Sequence, residues 1–147
     1  MELTEEGPET AAFRAELRAW LEDHLTPEVV EAGSHQGDGE SLEILRAWNR
    51  TLADGGWAAP SWPVEHGGRG ADVPEQLAYL EETSRLRAPG PVNVIGVSNI
   101  APAIMQFGTS EQQERFLQPM LRGDEICRRG CRSPTPDRTW RHCAPRR

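Results

Sequence analysis

The chain has 147 residues, of which 37% are apolar, and it can therefore form one domain with a hydrophobic core. Its formal charge is −7. Residues 1–126 contain 9 arginines and 22 acidic residues, whereas residues 127–147 contain 7 arginines and one aspartate. The acidic part argues against nucleic acid as a partner, because surface carboxylates oppose the counterion release that drives binding to phosphates. No signal peptide and no apolar run of about 18 residues occur, so we expect a cytoplasmic protein with no membrane partner.

The first two predicted helices come from apolar residues at helical spacing. Thr10 is placed to cap a helix over about 10–25, and Pro27 lies just past its end. Glycine, serine and aspartate over 33–39 predict a loop. Ser41 then caps a second helix, which a pair of glycines ends and whose apolar residues share one face: Leu42, Leu45, Trp48 and Leu52.

The connection over 55–70 is too rich in helix-breaking residues to form a helix. It contains two tryptophans, two prolines and five glycines. We expect the tryptophan rings to fill gaps between helices while the glycines allow tight turns. Glu65 and His66 are neighbours whose side chains should point apart in an extended loop, so we assign them no acid–base role.

Two later helices have recognisable starts. Asp72 and Glu75 match a capping box, and the helix they open carries three leucines, Leu77, Leu80 and Leu86. Thr109 or Ser110, paired with Gln112 or Gln113, opens the last helix, which ends at Gly123. With the helix over about 93–107, the sequence predicts an all-α fold, a bundle of about five helices with one long Trp/Pro/Gly-rich loop.

The helix over about 93–107 supplies the candidate binding residues. It is apolar nearly all round, which predicts burial on most of its sides. Such a helix packs in a core more often than it encloses an acyl chain, yet both are compatible with the pattern. We assign Ile95, Ser98 and Asn99 to a candidate substrate pocket, and we assign no catalytic, cofactor-binding or metal-ligating residue.

The segment over 127–147 holds every cysteine of the chain. Cys127, Cys131, His142 and Cys143 supply four thiolate or imidazole ligands, the number that a structural zinc needs, but the last two are adjacent, so we predict no metal site. Prolines leave no helix or sheet to present its arginines to nucleic acid. We expect an irregular, disordered tail.

Several separated motifs follow one another in an order that indicates a family. They are Gly-Trp-x-x-Pro-x-Trp-Pro-x-Glu-x-Gly-Gly over 56–68, Phe-Gly-Thr-x-Glu-Gln-Gln over 107–113 and Leu-x-Gly-x-Glu over 121–125. Together they resemble the N-terminal helical domain of flavin-dependent acyl-CoA dehydrogenases, and the resemblance covers residues 10–126. We therefore assign 1–126 to that domain and 127–147 to the tail.

The resemblance implies a longer parent enzyme. In the family, a β-barrel domain that holds much of the FAD and a C-terminal helical domain with a glutamate base follow this domain. The parent would oxidise an acyl-CoA thioester to the enoyl-CoA, pass electrons to an electron-transfer flavoprotein and assemble as a homo- or hetero-oligomer. We expect this chain by itself to bind no FAD and to have no dehydrogenase activity.

Two alternatives stay open at this point. Nitroalkane- and amine-oxidising flavoenzymes share the architecture, so the parent could be an oxidase of that kind. The chain could also be a non-catalytic helical module that binds a partner or a fatty acyl ligand through faces that further domains would otherwise cover.

The tail has a second reading in another frame. The family places a Ser-Glu-Pro-x-Ala-Gly-Ser-Asp-like motif soon after the position of Ile126, and this chain lacks it. When Cys131 to Pro145 are written in permitted G- and C-rich codons and read one nucleotide earlier, fourteen codons spell Ser-Glu-Pro-Asp-Ala-Gly-Ser-Asp-Leu-Ala-Ser-Leu-Arg-Thr. We therefore expect a frameshift near codons 126–130 that truncates the parent enzyme.

Overall fold

The computed structural model describes residues 7–35 and 39–127. Within these ranges the chain forms six α-helices and no β-strand, so the predicted all-α class is confirmed. A 3₁₀ turn at Val64–His66 and a π-helical turn at Gly96–Ile100 lie between helices. The helices are α1 (Pro8–His24), α2 (Pro27–Ser34), α3 (Gly39–Asp54), α4 (Val73–Arg85), α5 (Ala101–Phe107) and α6 (Ser110–Arg122).

Side-chain caps start the two helices for which the sequence predicts a capping box. At α4, Asp72 Oδ1 accepts a hydrogen bond from the Glu75 N–H at 2.9 Å, and the Glu75 carboxylate accepts one from the Asp72 N–H at 3.0 Å. Thr109 and Gln112 form the same reciprocal pair at α6, which ends at Gly123 in the left-handed conformation. Both predicted starts are confirmed.

The N-terminal region departs from the prediction in three ways. α3 begins at Gly39, so Ser41 lies inside that helix rather than at its cap. α1 begins at Pro8, so Thr10 is a buried residue inside the helix rather than its cap. The sequence does not predict α2, because a proline after a helix indicates its end. Proline also suits the first turn of a new helix, and here Thr26 Oγ1 accepts the Val29 N–H at 3.4 Å, so α2 begins at Pro27 and packs against α3.

The core lies where α1, α3 and α6 meet the irregular connection. Trp57 has no exposed surface and Trp62 is 3% exposed, which confirms that their rings fill the space between helices. Gly68 lets the connection fold back on itself, because a Cβ there would lie 2.1 Å from the Trp62 carbonyl oxygen. The Arg69 guanidinium covers the Trp57 ring at 3.5 Å from its centre and donates to Glu16 at 2.8 Å.

α4 presents a different face to the core than its leucines suggest. Leu77 and Leu80 are 57% and 59% exposed, while Ala78 and Glu82 are the buried residues of this helix. α4 packs against α1, and the Glu82 carboxylate accepts hydrogen bonds from Arg14 and Arg18 of that helix. The leucine pattern alone therefore indicates the wrong face.

The predicted helix over 93–107 is divided, and its predicted burial is wrong. The π-helical turn occupies Gly96–Ile100 and α5 follows at Ala101. Val94 is 55% exposed and Phe107 is 80% exposed, whereas Val97 and Ala101 are buried. The apolar residues of this segment are thus divided: Ile100, Ile104 and Met105 pack against the core, while Val94 and Phe107 lie in solvent.

The described part of the chain ends at Cys127. Its N–H donates to Asn93 Oδ1 at 2.8 Å, and its thiol is free and half-buried. Most of the predicted tail, with Cys131, His142 and Cys143, lies outside the described residues. The boundary after Ile126 and the frameshift stay predictions.

Candidate functional site

An open groove of about 540 Å³ lies between the irregular connection, the first turns of α4, the π-helical turn and α5. Such a volume falls within the range of small-molecule sites. The groove is lined by apolar residues, Trp62, Pro63, Val97, Pro102 and Met105, and by uncharged polar residues, Ser61, Gln76, Ser98 and Gln106.

The turn at Gly96–Ile100, which forms part of the groove wall, is π-helical because of its backbone hydrogen-bond register. The Ala101 N–H donates to the Gly96 carbonyl, five residues back, rather than to Val97. Residue 102 is a proline and has no N–H to offer the next carbonyl in that register. The Val97 carbonyl instead accepts the Trp62 indole N–H at 3.1 Å.

Asn93 fixes the start of the same turn. Its buried amide nitrogen donates to the Met120 and Glu125 carbonyls at 3.1 and 3.0 Å. Gly96 must pass close to that side chain, since a Cβ there would lie 2.2 Å from the Asn93 amide nitrogen. One residue thus connects the groove wall to the segment in which the described chain ends.

The three predicted pocket residues occupy different positions. Ser98 is exposed and lines the groove. Ile95 is half-buried and Asn99 is exposed, and neither is among the residues that line it. The structure brings Ser98 together with Trp62 and Gln76, which sequence reasoning missed, since nothing local places the irregular connection or α4 beside this turn.

The residues that line the groove are apolar or polar and uncharged, a composition suited to contact with an apolar ligand. Tyr79, whose pKa is raised to about 12 by burial, is not among the residues that line the groove. Its hydroxyl donates to the Trp57 carbonyl at 3.0 Å. FAD carries a diphosphate, which needs cationic or clustered N–H donors, so the groove residues do not fit it. Absence of FAD from this chain stays a prediction.

Glu65 and His66 do not point apart as expected. They lie in the 3₁₀ turn, where Glu65 Oε1 and His66 Nε2 are 3.8 Å apart. The Glu65 side chain is 78% exposed, so water solvates this pair. The contact supplies no buried acid–base dyad.

Two negative findings concern residues 7–35 and 39–127. No group of three or more His, Cys, Asp or Glu side chains is placed there to hold a metal ion. No helix in these ranges is both long and apolar enough to cross a bilayer. The zinc-type ligands at Cys131, His142 and Cys143 lie outside them.

Comparisons with known proteins agree with the helical architecture. The chain matches the family described as Acyl-CoA dehydrogenase, N-terminal domain, over residues 7–124. It is 41% identical over 129 residues to acyl-CoA dehydrogenase IpdE1 of Mycolicibacterium smegmatis, which covers 86% of this chain and 33% of that relative.

Solved structures match over the same region. A chain of the ChsE4-ChsE5 complex from Mycobacterium tuberculosis superposes with a TM-score of 0.65 and 31% identity, over 84% of this chain and 30% of that one. The steroid ACAD Tcur3481-Tcur3483 superposes with a TM-score of 0.65 and 33% identity, over 86% of this chain and 32% of that one. The chain spans about a third of the length of these relatives.

Proposed function

Because this chain belongs to the acyl-CoA dehydrogenase family through its N-terminal domain, we propose that it is the first part of an enzyme that oxidises an acyl-CoA thioester to the α,β-enoyl-CoA. Family resemblance implies that a glutamate outside the described residues would remove the α-proton and that FAD, held by the further domains, would serve as the hydride acceptor. Electrons would leave through an electron-transfer flavoprotein. The match over residues 7–124 carries this proposal.

Within that enzyme, this chain would contribute part of the acyl-binding wall. We infer that Ser98, with Ile95 and Asn99 beside it, faces the acyl group once the remaining domains are present. Support comes from the apolar surface that the segment leaves in solvent, including Val94, and from the uncharged groove beside Ser98.

A chimera tests this role directly. Residues 7–126 replace the aligned third of IpdE1, and turnover of butyryl-CoA and of a bulky steroid side-chain acyl-CoA is measured with an artificial electron acceptor. Ser98→Phe should lower kcat/KM for the bulky substrate by about tenfold or more, because it fills space in the wall. Ser84→Phe, at an exposed position on α4, is the control; equal effects of the two variants would contradict the assignment.

The chain alone should be inactive. We expect no flavin absorption from the purified full chain and no turnover of octanoyl-CoA with an artificial acceptor, since the groove holds no charged residue for acid–base work. A bound flavin or measurable enoyl-CoA formation would contradict this.

The neighbours in structure suggest how the parent assembles. One is a ChsE4-ChsE5 complex and another is a steroid ACAD made of two named proteins. We propose that the parent is a hetero-oligomer of two acyl-CoA dehydrogenase subunits acting on a bulky acyl group. A chimera that forms an active homodimer and prefers butyryl-CoA would argue against both parts.

A non-catalytic module is the second candidate, favoured by the exposed leucines of α4. Size-exclusion chromatography of the full chain separates the two. A stable monomer supports an independent module, whereas self-association through uncovered apolar faces supports a piece of a larger enzyme.

The proposed frameshift is tested at the level of the gene. The nucleotide sequence after codon 126 should continue the family match in a second frame. An uninterrupted original frame, with stop codons in the alternative one, would show that residues 127–147 are genuine.

A further inference from the structure

Three buried tryptophans differ in what their indole N–H groups do. Trp48 Nε1 donates to the Pro89 carbonyl at 2.8 Å, and Trp62 Nε1 donates to the Val97 carbonyl at 3.1 Å. Trp57 Nε1 is buried and finds no acceptor within the described part of the chain. Burial of an indole therefore does not by itself require this bond, and the Trp62 contact calls for a specific explanation.

That explanation lies in the π-helical turn. In an α-helix the Val97 carbonyl would accept the N–H of residue 101, but that N–H goes to Gly96. In π-helical register it would accept the N–H of residue 102, which proline lacks. A buried carbonyl without a donor is costly, and the Trp62 indole, which can only donate, supplies the missing bond.

The register of this turn decides which side chains share the groove. Val97 and Pro102 both line it although they are five residues apart. An α-helix would separate two such side chains by about 140° around its axis, whereas a turn with one extra residue brings them to the same side. Ser98 takes its place in the wall through the same register.

We propose that Trp62 is a positioning residue whose indole N–H replaces the backbone donor missing at Pro102, holds Gly96–Ile100 in π-helical register, and so places Ser98 in the groove wall. The importance of the groove for an acyl group rests on the proposed function; the register itself does not. Trp62 contacts no reacting atom in this account.

The test compares Trp62→Phe with Trp57→Phe in the full chain. Both variants replace a buried indole with a smaller phenyl ring, but only Trp62→Phe removes an indole hydrogen bond, the one to the Val97 carbonyl. Hydrogen exchange of the Ala101 amide, which bonds to Gly96, should become about tenfold faster relative to the amides of α6 in Trp62→Phe. Trp57→Phe should not change that ratio; equal ratios in both variants would overturn the proposal.

A rescue experiment separates loss of the bond from loss of ring volume. Pro102→Ala restores a backbone N–H, which gives the turn a donor of its own. Trp62→Phe should then change the exchange ratio of Ala101 by less than about twofold. An effect as large as in the Pro102 background would show that ring packing, not the hydrogen bond, is what matters.

A binding measurement distinguishes failure of this inference from failure of the proposed function. Octanoyl-CoA is titrated by calorimetry into the chimera with IpdE1, in which the remaining domains are present, and into the same chimera carrying each tryptophan variant. Weaker binding by Trp62→Phe than by Trp57→Phe supports both ideas, and equal binding overturns the positioning role. If the unaltered chimera shows no binding while the exchange result in the full chain holds, the acyl-binding role fails and the positioning of the turn stands.

Discussion

α4 and α6 are matched helices that the fold uses in opposite ways. Each has 13 residues and begins with a reciprocal capping box. α6 buries Leu117, Met120 and Leu121, whereas α4 buries Ala78 and Glu82 and leaves its leucines in solvent. An apolar stripe thus becomes the buried face of a helix only where a matching apolar surface is available. In α4 the buried face carries Glu82, whose carboxylate accepts hydrogen bonds from three arginines.

The ion-pair cluster of α4 has one buried member. Glu82, with a side chain 4% exposed, accepts hydrogen bonds from Arg14 at 3.2 Å, Arg18 at 2.7 Å and Arg85 at 2.8 Å. The arginines reach toward solvent, so the desolvation cost falls mainly on the carboxylate, which these bonds offset. Arg14 and Arg18 belong to α1, so the cluster ties two helices together.

Truncation of a leucine should show the largest difference between α6 and α4. Leu117→Ala should lower the free energy of unfolding by about 2–5 kcal/mol, because it leaves a cavity in the core. Leu80→Ala removes the same atoms from an exposed site and should change it by less than about 0.5 kcal/mol. Urea unfolding of both variants measures the difference, and similar losses would show that the α4 stripe is packed.

Removal of the Glu82 charge should have the next largest effect. Glu82→Gln weakens hydrogen bonds to three arginines and should cost about 1–3 kcal/mol, less than a fully buried pair because those arginines are partly exposed. Glu81→Gln is the matched control, since its carboxylate meets Arg14 at an exposed site. Equal losses in urea unfolding would mean that burial of Glu82 adds nothing.

Acid should remove the same stabilisation from the unaltered chain. The Arg18 guanidinium, with Arg85 and Arg14, holds the pKa of Glu82 at about 2, below its ordinary value of 4.5. Since the folded pKa is the lower one, this stabilisation is fully present above 4.5 and is lost as the pH falls toward about 2. Urea unfolding across this range should show a smaller loss in Glu82→Gln; parallel curves would contradict the assignment.

The caps should give the smallest and most nearly equal effects. Asp72→Ala and Thr109→Ala each remove a side-chain acceptor from an N–H at the start of a helix, and each should cost about 1 kcal/mol. Thermal unfolding compares them directly. A much larger loss for Thr109→Ala would mean that α6 depends on its cap to present the core face, and that the two starts are not equivalent.

Local patterns predict the starts of α4 and α6 but not the neighbours of Ser98. Capping boxes at Asp72 and Thr109 involve residues three apart, so a sequence displays them in full. Ser98 was assigned from polarity within an apolar run, and the structure places it in the groove. Trp62 and Gln76 reach that groove from elements that precede Ser98 by more than twenty residues, and no periodicity within one helix reports such proximity.

Capping, helical spacing and ordered motifs are properties of residues close together in the chain, so they suffice to predict the all-α class, the irregular Trp-rich connection and the family. The buried face of α4 and the register of the turn at Gly96–Ile100 depend instead on contacts between elements that are distant in the sequence. Glu82 needs arginines of another helix, and the Val97 carbonyl needs the indole of Trp62. A buried polar group requires a hydrogen-bond partner, so it stabilises the packing that brings the partner within reach. Here the partners lie far away along the chain, and local sequence patterns do not report them.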